Sequence, residues 1–261
     1  MSKKDHLDWL RREKWHFSFK EFPKNLKKSI AKCHDLQKIN ELLLIVALVY
    51  ASFVKLPSIF IDKKVSKAYS QKLTFTCFID LMRTTNCTTF MIGNGLYKNA
   101  YHNIRYSLES IVHSLYMDLR HPNADFQTKI EILDEVENLP NYRGVKLVKA
   151  LEINNKDEIM REYKGINKEY KKLSKNVHFT YRQLLVTAKK VRESNVHSTE
   201  IDCTEVSKIY DSMKTVYDFF LFLVLSYFPE LKEPLAKNEE FTQTVIDHNL
   251  KLVCKVLQIT V

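Results

Sequence analysis

The chain has 261 residues, 45% of them apolar, so it can bury a substantial core and is not a disordered chain. Only four glycines and six prolines occur, which excludes a Gly-rich phosphate-binding loop and makes helices the expected structure. The net charge of +10 is uneven: residues 1–73 carry 16 basic against 7 acidic side chains, and residues 161–192 carry 10 against 2.

These two basic blocks indicate the kind of partner to expect. Clustered lysines and arginines attract polyanions through many modest contacts and the release of counterions, so RNA, DNA or an anionic membrane surface are the natural candidates. The alternative is a lysine-rich surface that only meets solvent.

Cysteine usage and the N-terminus indicate the compartment. The five cysteines form no C-x-x-C pair and their number is odd, which supports neither a zinc knuckle nor a secreted disulfide framework. The N-terminus lacks the apolar segment of a signal peptide. We therefore expect a cytoplasmic protein.

The first predicted element is a basic, aromatic arm over residues 1–38. Aromatic side chains such as Trp9, Trp15 and Phe19 lie among cations, a mixture that can stack on unpaired bases and meet phosphates. The same aromatics can instead anchor the arm on its own domain. The candidate RNA-binding cations of the arm are Arg11, Arg12, Lys14, Lys20, Lys24, Lys27 and Lys28.

An apolar segment follows at residues 42–61. Its first 13 residues contain no charge, which is shorter than the ~20 residues needed to cross a bilayer. The pattern favours a buried helix, with a membrane anchor as the alternative.

The next segments are also helical in pattern. Gly93 and Gly95 surround an asparagine and predict a break before a long helix over residues 96–119. On that helix an apolar stripe runs beside Arg105 and Glu109, which are one turn apart. The stripe consists of Ile104, Leu108, Ile111, Leu115 and Leu119.

Further helices are predicted over the second half of the chain. Two short helices are expected between residues 123 and 160, then one over residues 157–173. Asp202 or Thr199 is expected to cap a helix that ends in the apolar run 219–228. A last helix is predicted over residues 238–257.

The sequence YKKLSKNVHFTYRQLL, residues 170–185, lies in the second basic block. The block has too few acids nearby for its cations to form an internal ion-pair network, so these side chains are expected to face water or a polyanion. The candidate RNA-binding cations here are Lys164, Lys168, Lys171, Lys172, Lys175, Arg182, Lys189 and Lys190.

Metal and cofactor motifs are not found. The nine histidines include no H-E-x-x-H motif, and neither a Walker loop nor a G-x-S-x-G motif occurs. We therefore expect no metal and no cofactor.

Two segments resemble a known family. The helix with Arg105 and Glu109 after a small-residue turn, followed by a Tyr-x-x-Leu-Ser-x-x-Val-His segment ending at His178, resembles uncharacterised prokaryotic and archaeal helical proteins related to the HEPN superfamily. The resemblance covers about residues 73–228. It implies an all-α bundle that often forms a homodimer and that in many members binds or cleaves RNA.

Catalysis by such a site would need specific groups. A metal-free ribonuclease requires a base, an acid and a cation near the phosphate, and His178, Arg105 and Glu109 could supply them if their helices meet. The spacing of eight residues between Arg105 and His113 differs from the short Arg-to-His spacing of active HEPN nucleases. The alternative is that Arg105 and Glu109 form an internal ion pair and His178 hydrogen-bonds within the bundle.

The sequence thus predicts an all-α protein, a single HEPN-like helical bundle over residues 39–261 with a basic helical arm over residues 1–38. We expect it to bind RNA, plausibly ribosomal or otherwise structured, through its two basic surfaces and without catalysis. The alternatives are a metal-independent endoribonuclease of a defence or toxin system and a membrane-associated protein anchored by residues 42–61.

Overall fold

The computed structural model describes residues 33–60, 71–137, 156–177 and 201–259. Over these residues the chain is helical and contains no strand, which confirms the predicted all-α bundle. In chain order the helices are α1 (His34–Phe60), α2 (Leu73–Gly93), α3 (Tyr97–Arg120), α4 (Phe126–Glu137), α5 (Lys156–Val177), α6 (Cys203–Tyr227), a 3₁₀ turn (Pro229–Leu231), α7 (Lys232–Ala236), α8 (Glu239–Asp247) and α9 (Lys251–Leu257).

Helix α6 lies at the centre of the bundle. It packs against α1, α3, α5 and α9, and every residue from Phe219 to Leu225 is buried. A helix that is apolar on all sides is stable only where other elements cover all its faces. The predicted buried helix at residues 219–228 is therefore confirmed.

The predicted cap of this helix is also observed at its other end. Asp202 caps the first turn of α6 by accepting hydrogen bonds from the backbone N–H groups of Thr204 and Glu205.

Helix α1 is the second apolar helix of the core. Leu42, Ile45, Val46 and Val49 are buried against α2 and α6, as the buried-helix interpretation of this segment predicted. None of the helices in the described parts of the chain combines the length and apolar composition that crossing a bilayer requires. The N-terminal arm was expected to end at residue 38, but helix α1 continues through this position. The division of the chain into an arm and a bundle stays a prediction.

The predicted break after α2 is confirmed. Gly95 has φ 71°, and the N–H groups of Gly95 and Leu96 donate back to Ile92 and Met91. These two hydrogen bonds form a Schellman motif, which ends α2. Its left-handed position suits glycine, because a residue with a β-carbon would be strained at this φ. Helices α2 and α3 then pack side by side as an antiparallel pair.

The predicted single helix at residues 238–257 is wrong. The chain forms α8 and α9 with a turn between them, in which Asn249 has φ 50° and Leu250 donates its N–H to Val245. Asn tolerates the left-handed conformation that closes this Schellman motif. Asp218 on α6 then accepts hydrogen bonds from the first N–H groups of α9, at Leu252 and Val253, and holds α9 on the core.

Candidate functional site

Helix α5 has one apolar face and one lysine face. Ile166 and Leu173 are buried in the core, and Tyr170 is half-buried on the same side. Since residues three and four apart share a helix face, the opposite face is defined by the intervening positions. We call this the lysine face, and its exposed members are Lys168, Lys171, Lys172 and Lys175.

Few acidic groups neutralise the lysine face. Lys172 lies 3.2 Å from the Glu169 carboxylate, outside hydrogen-bond geometry, and donates to the hydroxyl of Ser212 on α6 at 3.1 Å. Lys168 and Lys171 form no ion pair with any other described residue. Lys168 and Lys171 therefore give the face a positive charge that an anion can use.

A polar network fixes α5 to α3. Arg105 donates from Nε and Nη2 to Oε1 of Glu109 at 3.1 and 3.0 Å, and from Nη2 to the hydroxyl of Tyr170 at 3.0 Å. The Tyr170 hydroxyl in turn donates to the same Glu109 oxygen at 2.8 Å, and the guanidinium lies 5.1 Å from the centre of the Tyr170 ring. The three groups therefore satisfy one another across the α3–α5 contact.

The protonation states follow from this geometry. Burial lowers the pKa of Arg105, but the Glu109 carboxylate and the Tyr170 hydroxyl outweigh it and raise that pKa. Burial is the main cause that raises the pKa of Tyr170, with Glu109 adding to it and Arg105 opposing it. At neutral pH Arg105 is thus cationic and Tyr170 is protonated. The network has the character of a structural clamp more than of a free acid–base pair.

The predicted site residues fall into three groups. Arg105 and Glu109 come together as the predicted internal ion pair, which is confirmed. Lys168, Lys171, Lys172 and Lys175 share one exposed face of α5, whereas Lys164 lies on α5 ahead of the described side chains. The remaining candidates lie outside the described residues: Arg11, Arg12, Lys14, Lys20, Lys24, Lys27, Lys28, His178, Arg182, Lys189 and Lys190.

Tyr170 is the residue that the sequence analysis did not assign. It stands 61 positions from Glu109, and no local pattern links the two. The available signal was its position between Ile166 and Leu173 on the apolar face of a predicted helix, which marks it as facing the bundle. Its partner could be found only from the packing of α5 on α3.

No metal centre is formed by the side chains in the parts of the chain described above: no group of three or more His, Cys, Asp or Glu residues is arranged to hold an ion. The site is thus a helix that is held by the clamp and exposes a row of cations.

Comparison of the chain with protein-family models, with curated proteins and with solved structures found no match in any of the three. The resemblance to HEPN-related proteins therefore stays a prediction.

Proposed function

We propose that the protein binds structured RNA, with ribosomal RNA as the first natural candidate, through the lysine face of α5. The observation that carries the proposal is the row Lys168, Lys171, Lys172 and Lys175 on a helix whose opposite face is buried. Phosphate groups are the ligands that such a row suits, because it offers four cations at helical spacing, and two of them, Lys168 and Lys171, form no ion pair with any other described residue.

The scaffold supports this use of the face. The row runs from Lys168 to Lys175, seven positions later, which corresponds to about 10 Å along the helix axis, and so it can meet successive phosphates. Burial of Ile166 and Leu173 and the clamp between Tyr170, Arg105 and Glu109 hold the helix in one orientation. Less conformational entropy is then lost on binding than with a flexible basic tail.

The chemistry of the row favours recognition of the RNA backbone over recognition of bases. A lysine ammonium is a point charge, whereas the planar, bidentate guanidinium of arginine is the group that commonly reads base edges. The described face contains lysines and no arginine. We therefore expect binding that depends on RNA shape and on salt, with little dependence on sequence.

The test is a charge reversal with a matched control. In the test variant Lys168, Lys171 and Lys175 become Glu; in the control Lys98, Lys237 and Lys251 become Glu. The control residues are equally exposed but scattered over other parts of the bundle, and both variants change the net charge by the same amount. Binding of a labelled RNA hairpin is followed by fluorescence anisotropy at low salt.

We expect the test variant to bind at least about tenfold more weakly than the parent and the control to stay close to the parent. Equal losses in both variants would mean that only net charge matters, and unchanged binding in the test variant would remove the lysine face as the site.

The same samples test the nuclease alternative. The packing of α5 on Arg105 and Glu109 brings the helix that precedes His178 beside these two residues, which is the observation in favour of that alternative. If the RNA shortens on a denaturing gel and His178→Ala abolishes the shortening, the protein is a ribonuclease. The binding proposal predicts that the RNA stays intact.

A further inference from the structure

A cleft of about 430 Å³ lies between α2, α3 and α4 and shares one residue, Glu109, with the clamp. Its apolar wall is formed by Leu73 of α2 and by Phe126, Ile130 and Leu133 of α4. Ile130 is still 39% exposed, so the wall is open to a ligand from outside. The volume falls in the range of roughly 300–1,000 Å³ that is typical of sites for small molecules.

Polar side chains converge on the other wall of the cleft. Glu109 of α3 already accepts hydrogen bonds from Arg105, one turn away on the same helix, and from Tyr170 of α5. Ser110 and Asp80 lie near the hydroxyl of Tyr106, and they shift its pKa in opposite directions, Ser110 lowering it and Asp80 raising it. Glu109 therefore has its partners before any ligand arrives, and Asp80 faces the Tyr106 hydroxyl.

Arg83 differs from these groups. It lines the cleft from α2, is exposed, and forms no ion pair or hydrogen bond with any other described residue. A guanidinium presents a planar set of donors that fits a carboxylate with two parallel hydrogen bonds. Arg83 is thus an exposed cation of the cleft and is suited to one flat anionic group.

We propose that this cleft binds a small organic carboxylate with an apolar acyl or aryl body. The body would lie on Phe126, Ile130 and Leu133, and the carboxylate would pair with Arg83. Because Asp80 and Glu109 line the same cleft, a singly charged carboxylate meets less like-charge repulsion there than a doubly charged phosphate.

This site is separate from the lysine face and does not depend on the proposed RNA binding. The variants that test the two proposals share no residue, so either proposal can fail alone. A ligand here would be recognised through one charged group and one apolar body. The contribution of each can therefore be measured by changing that part of the ligand.

The experiment is isothermal titration of the full chain with three probes of equal chain length: decanoate, decanol and decylamine. We expect decanoate to bind with one-to-one stoichiometry and at least about tenfold more tightly than decanol or decylamine. Arg83→Gln should bring decanoate down to the affinity of decanol. Arg120→Gln, at an exposed arginine that does not line the cleft, is the matched control and should bind like the parent.

A second variant tests the apolar wall. Ile130→Asn places an uncharged polar group on a partly exposed wall position and should weaken decanoate and decanol alike, while thermal unfolding verifies that the bundle remains folded. Saturable binding of none of the three probes would overturn the proposal. Binding of decylamine as tight as that of decanoate, or unchanged decanoate binding in Arg83→Gln, would also overturn it.

Discussion

Asp118 and Lys129 are both fully buried, and their charged atoms lie 2.9 Å apart. Asp118 also accepts hydrogen bonds from the backbone N–H groups of Leu73 and Thr74 at 3.0 and 2.9 Å, so it caps the start of α2 from the end of α3. Lys129 of α4 donates to the carbonyl of Gln71 as well. One pair of buried charges therefore joins three helices, and each charge has several partners, as burial requires.

Removing one member of this pair should be costly. We expect Lys129→Met to lower the free energy of unfolding by about 3 kcal/mol or more, because it leaves the Asp118 carboxylate buried without its counter-ion. Urea unfolding measures the effect. Lys237→Met, which removes an exposed lysine paired with Glu233, is the control and should leave the unfolding midpoint unchanged. Equal stability of the two variants would contradict the structural role of the pair.

His248 is a further buried ionisable residue in the described part of the chain, and it has two close polar neighbours. Its Nδ1 lies 2.8 Å from the hydroxyl of Tyr210, and its Nε2 lies 3.0 Å from a carboxylate oxygen of Glu41, outside hydrogen-bond geometry. Burial lowers the pKa of His248; Glu41 and Asp247 oppose this and Lys38 adds to it. The neutral imidazole is thus the form that the fold prefers.

A stability that depends on pH follows from this lowered pKa. Unfolded chains protonate histidine near pH 6.5, before the folded protein does, so stability is complete above about pH 6.5 and is lost as the pH falls below it. Between about pH 7.5 and 5.5 we therefore expect the free energy of unfolding to fall, because the unfolded chain takes up this proton before the folded protein does. Urea unfolding of parent and His248→Gln at both pH values tests it. A variant with the same loss as the parent would show that other groups cause it.

At the scale of elements, the position of α5 depends on a few polar contacts to α3. The Tyr170 hydroxyl donates to Glu109 and accepts from Arg105, and these bonds link residues more than 60 positions apart. They are partly buried, where a hydrogen bond to a charged group contributes more than on the surface.

A double-mutant cycle measures this link. Tyr170→Phe removes only the hydroxyl and should destabilise the protein by about 1 kcal/mol. Combined with Glu109→Ala, which removes the acceptor, the two effects should be non-additive by roughly 0.5 kcal/mol or more, because both changes remove the same hydrogen bond. Strict additivity would mean that Tyr170 and Glu109 do not interact in solution.

The elements differ in how well the sequence predicts them. Helix α3 was predicted within two residues because its apolar stripe repeats at helical spacing and Gly95 forces the preceding turn. The break between α8 and α9 was missed because a lone Asn249, unlike a glycine pair or a proline, is compatible with a continuing helix. It becomes a helix end through the tertiary contact of Asp218 with the start of α9.

The candidate site could also be predicted only where its residues lie close together in the sequence. The lysine face can be read from α5 alone, since charge and burial alternate at helical spacing within one segment. The clamp could be predicted only as far as the Arg105–Glu109 pair, which is also local. Tyr170, and the cleft that α4 forms with α2 and α3, depend on packing between distant segments, which one sequence does not specify.

At the scale of the whole molecule, apolar residues of the described helices lie in the core, whereas the lysines of α5 lie on one exposed surface. Helix α6 and the inner faces of α1, α2 and α3 form the core, and α5 contributes to the core while presenting lysines outward. The net charge of +10 is therefore not spread evenly, and the second basic block of the sequence includes this face. A polyanion should meet one defined surface here.

The central claim is that phosphate groups bind the lysine face, and the salt dependence of RNA binding tests it most directly. The slope of log K against log salt concentration counts the phosphate contacts, so we expect that of the Lys168→Glu, Lys171→Glu, Lys175→Glu variant to be smaller than that of the parent by about three, one for each lysine. The scattered control with Lys98, Lys237 and Lys251 reversed should keep the slope of the parent. Identical slopes for all three proteins would contradict the account, because no phosphate would then be bound at this face.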